Sequence, residues 1–236
     1  MSVKEVSPRF FVLEESDPLA KEIKMTYRWY TPKFSPRDIP RFADVGSITE
    51  SPSCMKQIRD FLVNRYRNLP EPPTHILGFD ARGFLFGPAI AIELGIPFVL
   101  LRKSKKNAGV IIQSEPYDKD YKEDEPEEMT IRVGSVAKGS RVVLIDDVLA
   151  TGGTLVSGLQ LVHACGARAL EVCCILAVPF LGCIEKAHTS IDGRFKDVSI
   201  FSFVLYEALD DENCGDCKNY DGPRVIKYGE KIPLLN

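Results

Sequence analysis

The sequence predicts an α/β fold, a mostly parallel sheet with helices on both faces. Two observations carry this. From Thr74 onward, short unbroken apolar runs alternate with segments of helical period, as strands buried on both faces do. One such run, Arg141-Val-Val-Leu-Ile145, passes through two acids and a glycine-rich turn into a helical segment. In sheets of this kind ligands sit at the carboxyl ends of the strands.

The elements follow in order. Ser16-Asp-Pro18 opens a helix with Leu19, Ile23 and Tyr27 on one face, and Ser51-Pro52 opens a second with Met55, Ile58 and Leu62 at helical spacing. A proline-rich, non-periodic stretch separates them. Thr74 to Phe79 reads as a strand, Asp80-Ala-Arg-Gly83 interrupts it, and Phe84 to Leu94 reads as a helix ended by Gly95. Ile96 to Leu101 is the next strand. Residues 102–128 are dense in Lys, Asp and Glu and have no apolar period, so they read as a mobile lid loop. Met129 to Val133 returns to strand. After Arg141 to Ile145, a helix from about Thr154 to Cys165 closes at Gly166, and Leu170 to Val178 and Val198 to Val204 add two more strands.

With 236 residues, 44% of them apolar, the chain is read as a single domain, 1–236. A net charge of −3, from 30 basic and 33 acidic residues, lacks the basic excess that binding to a nucleic-acid backbone requires. The N-terminus is charged from Lys4 and Glu5, and the apolar stretch from Phe84 to Leu101 is broken by Pro88, Glu93 and Pro97, so neither a signal peptide nor a membrane span is expected. The seven cysteines, several within apolar runs, suggest reduced thiols and an intracellular setting, with the cytoplasm as the expected compartment. Cys214-Gly-Asp-Cys217 has redox-motif spacing without the strand-to-helix context, and His75, His163 and His188 never pair at metal-ligand spacing.

Chemistry concentrates in Val142-Val-Leu-Ile-Asp-Asp-Val-Leu-Ala-Thr-Gly-Gly-Thr154. Around Ala150, Thr151, Gly152, Gly153 and Thr154 successive backbone N–H groups can converge on one anion, and the following helix adds its positive dipole end. Asp146 and Asp147 lie one sugar's length before this cradle, where carboxylates accept hydrogen bonds from vicinal ribose hydroxyls. Neither a Walker ending nor G-x-G-x-x-G occurs, which disfavours nucleoside triphosphatases and dehydrogenases.

These thirteen residues resemble, at every position, the 5-phosphoribosyl-1-pyrophosphate (PRPP) motif of type I phosphoribosyltransferases. Pro40-Arg-Phe-Ala-Asp-Val45 with Ser47-Ile48, and Gly78-Phe-Asp-Ala-Arg-Gly-Phe-Leu-Phe-Gly-Pro88, resemble the adenine phosphoribosyltransferases within that family. The charged lid and long C-terminal region are similar to the longer, protozoan-type members. The resemblance implies the type I fold, an N-terminal hood over residues 1–50, the lid at 102–128, a homodimer, and conversion of adenine and PRPP to AMP and pyrophosphate with Mg²⁺. A transferase for another base and a non-catalytic PRPP-sensing regulator are the alternatives; the latter would need a helix-turn-helix or a basic face.

Residue by residue, the resemblance implies that Ala150 to Thr154 hold the 5′-phosphate. Asp146 and Asp147 hold the ribose and, through water, the metal. Asp80, Ala81 and Arg82 form a pyrophosphate loop, often built on a non-proline cis peptide, and Arg102, Lys103 and Lys106 add cations, with Lys105 able to replace Lys106. Adenine is read near Phe42 by main-chain groups around Ile39 and Arg41, since a C=O and N–H pair complements its amino donor and ring acceptor. Asp120-Tyr121 stands where the family has a glutamate followed by tyrosine. Asp120, or Glu123 nearby, is therefore the candidate general base, with Tyr121 and Arg82 completing the catalytic set.

Overall fold

The computed structural model describes residues 2–104, 106–117 and 126–231. An N-terminal hairpin of β1 (Val3–Ser7) and β2 (Phe10–Leu13) leads to helix α1 (Pro18–Thr26). Asp17 caps that helix by accepting the Leu19 N–H at 2.9 Å, and Pro18 fits the first turn, where its missing N–H costs nothing. A small ribbon of β3 (Arg28–Tyr30) and β4 (Phe42–Asp44) follows, then a single turn α2 (Gly46–Thr49) and the long helix α3 (Pro52–Arg67), capped by Ser51.

The remaining elements are β5 (His75–Phe79), α4 (Gly87–Leu94), β6 (Phe98–Lys103), β7 (Ile111–Gln113), β8 (Met129–Arg132), β9 (Arg141–Leu149), α5 (Gly153–Ala164), β10 (Arg168–Ala177), α6 (Cys183–Gly193) and β11 (Ser199–Leu205). The main sheet runs β1-β2-β11-β10-β9-β5-β6-β8-β7. From β2 to β6 neighbours are parallel, and antiparallel strands close both ends.

The unbroken apolar run of β9 follows from this position. Val143 and Ile145 enter the core under α1, α3 and α4, while Val142 and Leu144 enter the core under α5 and α6. A charged pair also lies in the interior of the first layer. Arg65 forks onto Glu171, with Nε at 2.9 Å from Oε1 and Nη2 at 2.5 Å from Oε2, and its guanidinium stacks 4.5 Å from the Phe201 ring.

The structure departs from the sequence reading at several places. The β1–β2 hairpin, inside the 1–50 segment read as a hood, belongs to the main sheet, where β2 pairs in parallel with β11. Helix α4 starts later than Phe84, because a 3-10 turn over Arg82–Leu85 precedes it and Pro88 sets its first turn. Strand β6 starts at Phe98 and reaches Lys103, and the segment read as a lid contains β7, which pairs with β8. Finally, β9 does not stop at Ile145. It carries both aspartates within the strand.

Candidate active site

The topology sets β5 between β9 and β6, so the carboxyl ends of these three strands meet. Asp80 to Arg82 leave β5, Arg102 and Lys103 end β6, and Asp146 and Asp147 lie near the end of β9. Successive side chains in a strand point to opposite faces. Asp147 is accordingly buried, whereas Asp146 keeps partial exposure. Arg82 Nη1 stands 3.1 Å from Asp147 Oδ2, an ion-pair distance without hydrogen-bond alignment, and that oxygen is buried with no hydrogen-bond partner. Asp146 Oδ1 accepts the Asp147 N–H at 2.9 Å. Desolvation of the partly buried Asp146 carboxyl, reinforced by the neighbouring Asp147 charge, pushes it well above the usual carboxylate range.

The loop after β5 gathers positive charge. The Asp80–Ala81 peptide is cis. Asp80 gathers two cations, Lys106 Nζ at 3.1 Å and Arg102 Nε at 3.6 Å from its Oδ2. Gly83 holds this loop against β9, since a Cβ there would lie 2.3 Å from the Ile145 carbonyl oxygen. Lys103, on the alternate face of β6, instead pairs with Glu127 at 2.7 Å. Glu127 also accepts the Tyr117 hydroxyl at 3.3 Å, in a two-residue antiparallel bridge at the stem of the lid segment. Burial pushes the Tyr117 phenol up to about 12, against the opposing effect of a hydrogen bond to Thr154.

The turn after β9 is the segment that the sequence reading takes for an anion cradle. Gly152, at φ 82° and ψ 4°, is the N-cap of α5 and offers no side-chain acceptor, so no side chain caps the first-turn N–H groups. A side chain there would be strained by the left-handed backbone, and its Cβ would meet the Cys183 Cα and carbonyl oxygen at 3.0 Å.

Beside the cradle opens a cavity of about 600 Å³. Ile39, Arg41 and Phe42 line it from the hood, Val148, Ala150 and Arg82 from the strand ends, and Phe180, Leu181 and Tyr206 from the far side. Ile39 and Phe42 are half-buried cavity residues, unlike core residues, and β3–β4 pairing of Phe42 with Tyr30 fixes the segment. Val148, Phe180, Leu181, Tyr206, Tyr117 and Glu127 were not legible as site residues. They arrive from separate segments, and only the Pro179–Leu181 turn directly after an apolar strand hints at a strand-end position.

Asp120, Tyr121, Glu123 and Lys105 lie outside the described residues. Among the described residues no group of three or more His, Cys, Asp or Glu could hold a metal ion. The adjacent Asp146 and Asp147, with one buried oxygen lacking a hydrogen-bond partner, are oxygen donors of the kind that would hold a hard cation. None of the seven cysteines forms a disulfide, and the Cys214–Cys217 segment braces the Trp29–Thr31 segment: Gly215 N–H donates to the Trp29 carbonyl at 2.8 Å and Asp216 accepts the Thr31 N–H at 3.0 Å.

Residues 44–215 match the family model described as a phosphoribosyl transferase domain. Adenine phosphoribosyltransferase 3 of Arabidopsis thaliana is 38% identical over 168 residues, 71% of this chain and 87% of that protein. The crystal structure of adenine phosphoribosyltransferase from Leishmania donovani superposes with a TM-score of 0.92 at 62% identity, covering 96% of each chain. That from Trypanosoma brucei, in complex with AMP, pyrophosphate and ribose-5-phosphate, superposes with a TM-score of 0.92 at 55% identity, covering 97% of each chain.

Proposed function

The chain belongs to the phosphoribosyltransferase family, among its adenine phosphoribosyltransferases, and from that premise we propose how its own residues join adenine to the ribose 5-phosphate of PRPP, releasing AMP and pyrophosphate. One observation carries the assignment of subsites: a single cavity is bordered by hood residues, by Ala150 of the anion cradle and by Arg82 of the cationic loop. A base, a ribose phosphate and a leaving pyrophosphate can therefore occupy contiguous space.

In this reading the first turn of α5 takes the 5′-phosphate and Asp146 and Asp147 take the ribose hydroxyls. Adenine N9 forms the bond to the anomeric carbon while the bond to pyrophosphate breaks, the leaving group keeping the electron pair. The passage is oxocarbenium-like, so Arg82, Arg102 and Lys106 offset the charge that develops on pyrophosphate. Lys103, tied to Glu127, acts at the stem of the lid segment. Adenine must also shed a proton, and Asp120 or Glu123 is the carboxylate proposed to take it. Mg²⁺, held near Asp146 and Asp147 through water, would supply further charge neutralisation on the phosphate oxygens. Phe42 flanks the base, and main-chain groups around Ile39 and Arg41 read its edge.

We also take the protein to act as a cytoplasmic homodimer, engaging neither nucleic acid nor membrane. The exposed Leu85, Ile92 and Leu100 around α4 and β6 support a self-association surface, and no described helix is long and apolar enough to cross a membrane. The deciding experiment is pyrophosphate release from PRPP with adenine, hypoxanthine, guanine and a pyrimidine in turn. Turnover with adenine alone supports the reading. Faster turnover with another base, or binding of PRPP without turnover, overturns it.

A further inference from the structure

We propose that Tyr206 is a positioning residue for base recognition, its hydroxyl fixing the Arg41 carbonyl and its ring backing Phe180 on the opposite wall of the cavity. The inference rests on the adenine reading of that cavity. Tyr206 opens the 3-10 turn Tyr206–Ala208 directly after β11, and both it and Phe180 line the cavity. Its hydroxyl donates to the Arg41 carbonyl at 3.3 Å, and its ring meets Phe180 edge-on at 5.8 Å.

The same short segment grips Arg41 by its side chain. Arg41 Nη1 donates to the Leu209 carbonyl at 3.0 Å, Nη2 reaches Asp211 Oδ1 at 3.0 Å, and the guanidinium lies 4.6 Å from the centre of the Trp29 ring. Trp29 is in turn held by Asp210, whose carbonyl accepts its indole N–H at 2.8 Å. Asp211 is exposed, so its ion pair contributes little, and the grip rests on carbonyl and stacking contacts. The Arg41 segment is thus held by residues 206–211 through both its carbonyl and its guanidinium.

A carbonyl oxygen has two lone pairs and a phenol one proton. With Tyr206 bonded to one lone pair, the Arg41 carbonyl is oriented and keeps the other for an exocyclic amino group. Burial holds the Tyr206 phenol above its ordinary range, which keeps that proton in place at neutral pH.

The test is steady-state kinetics of Tyr206→Phe, which keeps the ring and removes only the hydroxyl. Wild-type turnover of adenine is measured first, and its absence overturns the activity itself. On an active wild type, Tyr206→Phe is expected to raise KM for adenine about fivefold, the size of change that loss of one hydrogen bond produces, with kcat and KM for PRPP within about twofold. Tyr206→Leu, which also removes the support for Phe180, is expected to raise adenine KM further. An unchanged adenine KM in Tyr206→Phe overturns the role of Tyr206 alone, as does a rise in PRPP KM of the same size.

Discussion

The guanidinium of Arg82 lies 3.1 Å from the buried carboxylate of Asp147, joining the loop after β5 to the end of β9. Two subsites proposed for different parts of one substrate are therefore in direct electrostatic contact.

Arg82→Ala should weaken PRPP and pyrophosphate far more than AMP, because AMP has no group in the Arg82 subsite. Loss of a charge-assisted contact corresponds to roughly a ten- to hundredfold rise in KM for PRPP. AMP affinity should fall by less than about threefold, through the disturbed Asp147. Calorimetric titration with AMP and with pyrophosphate checks this; equal losses would sink the assignment of Arg82 to pyrophosphate.

Gly83→Ala tests the seat of the same loop. Its Cβ would fall 2.3 Å from the Ile145 carbonyl, a backbone atom in the central strand that cannot yield as a side-chain tip can. The overpacking should cost about 1–3 kcal/mol and lower Tm by about 2–10 °C, with a rise in KM for PRPP. Thermal denaturation beside initial rates provides the measurement, and a variant with wild-type Tm and KM would show that the loop is not seated there.

His75 offers a pH-dependent readout at the opposite end of β5 from Asp80. Burial lowers its pKa from the ordinary value. Between the unfolded and folded values the unfolded chain binds more protons, so stability is lost as pH falls below about 6.5. His75→Gln should remove this contribution: the drop in Tm between pH 7.5 and pH 5 becomes smaller than in wild type, with kcat unchanged. An equal drop in both proteins would rule the group out as a contributor.

The carboxylates proposed as general base make the fourth prediction. Asp120→Ala should slow turnover about a hundredfold, within the range for losing a general base, while Asp120→Glu retains or raises activity and Glu123→Ala does little. A crippled Glu123→Ala beside a silent Asp120→Ala would move the base to Glu123.

What the sequence determined by itself was local chemistry and periodicity. Val142 to Thr154 announced a strand, two carboxylates and a glycine turn into a helix because each property resides in adjacent residues, and the caps at Asp17 and Ser51 act within a few residues of themselves. The two-sided burial of β9 was legible as an unbroken apolar run for the same reason. Tertiary structure alone decided the rest. The β1–β2 hairpin has exposed, charged positions and becomes part of the sheet only through β11, nearly the whole chain away. Lys103 read as one more cation beside Arg102, but strand alternation turns it toward Glu127. Arg41 meets Leu209 across 168 positions, and Phe180, Leu181 and Tyr206 close the cavity from turns with no motif of their own. Such contacts carry no sequence period, because their spacing is set by how the strands are ordered in the sheet and not by any repeat along the chain.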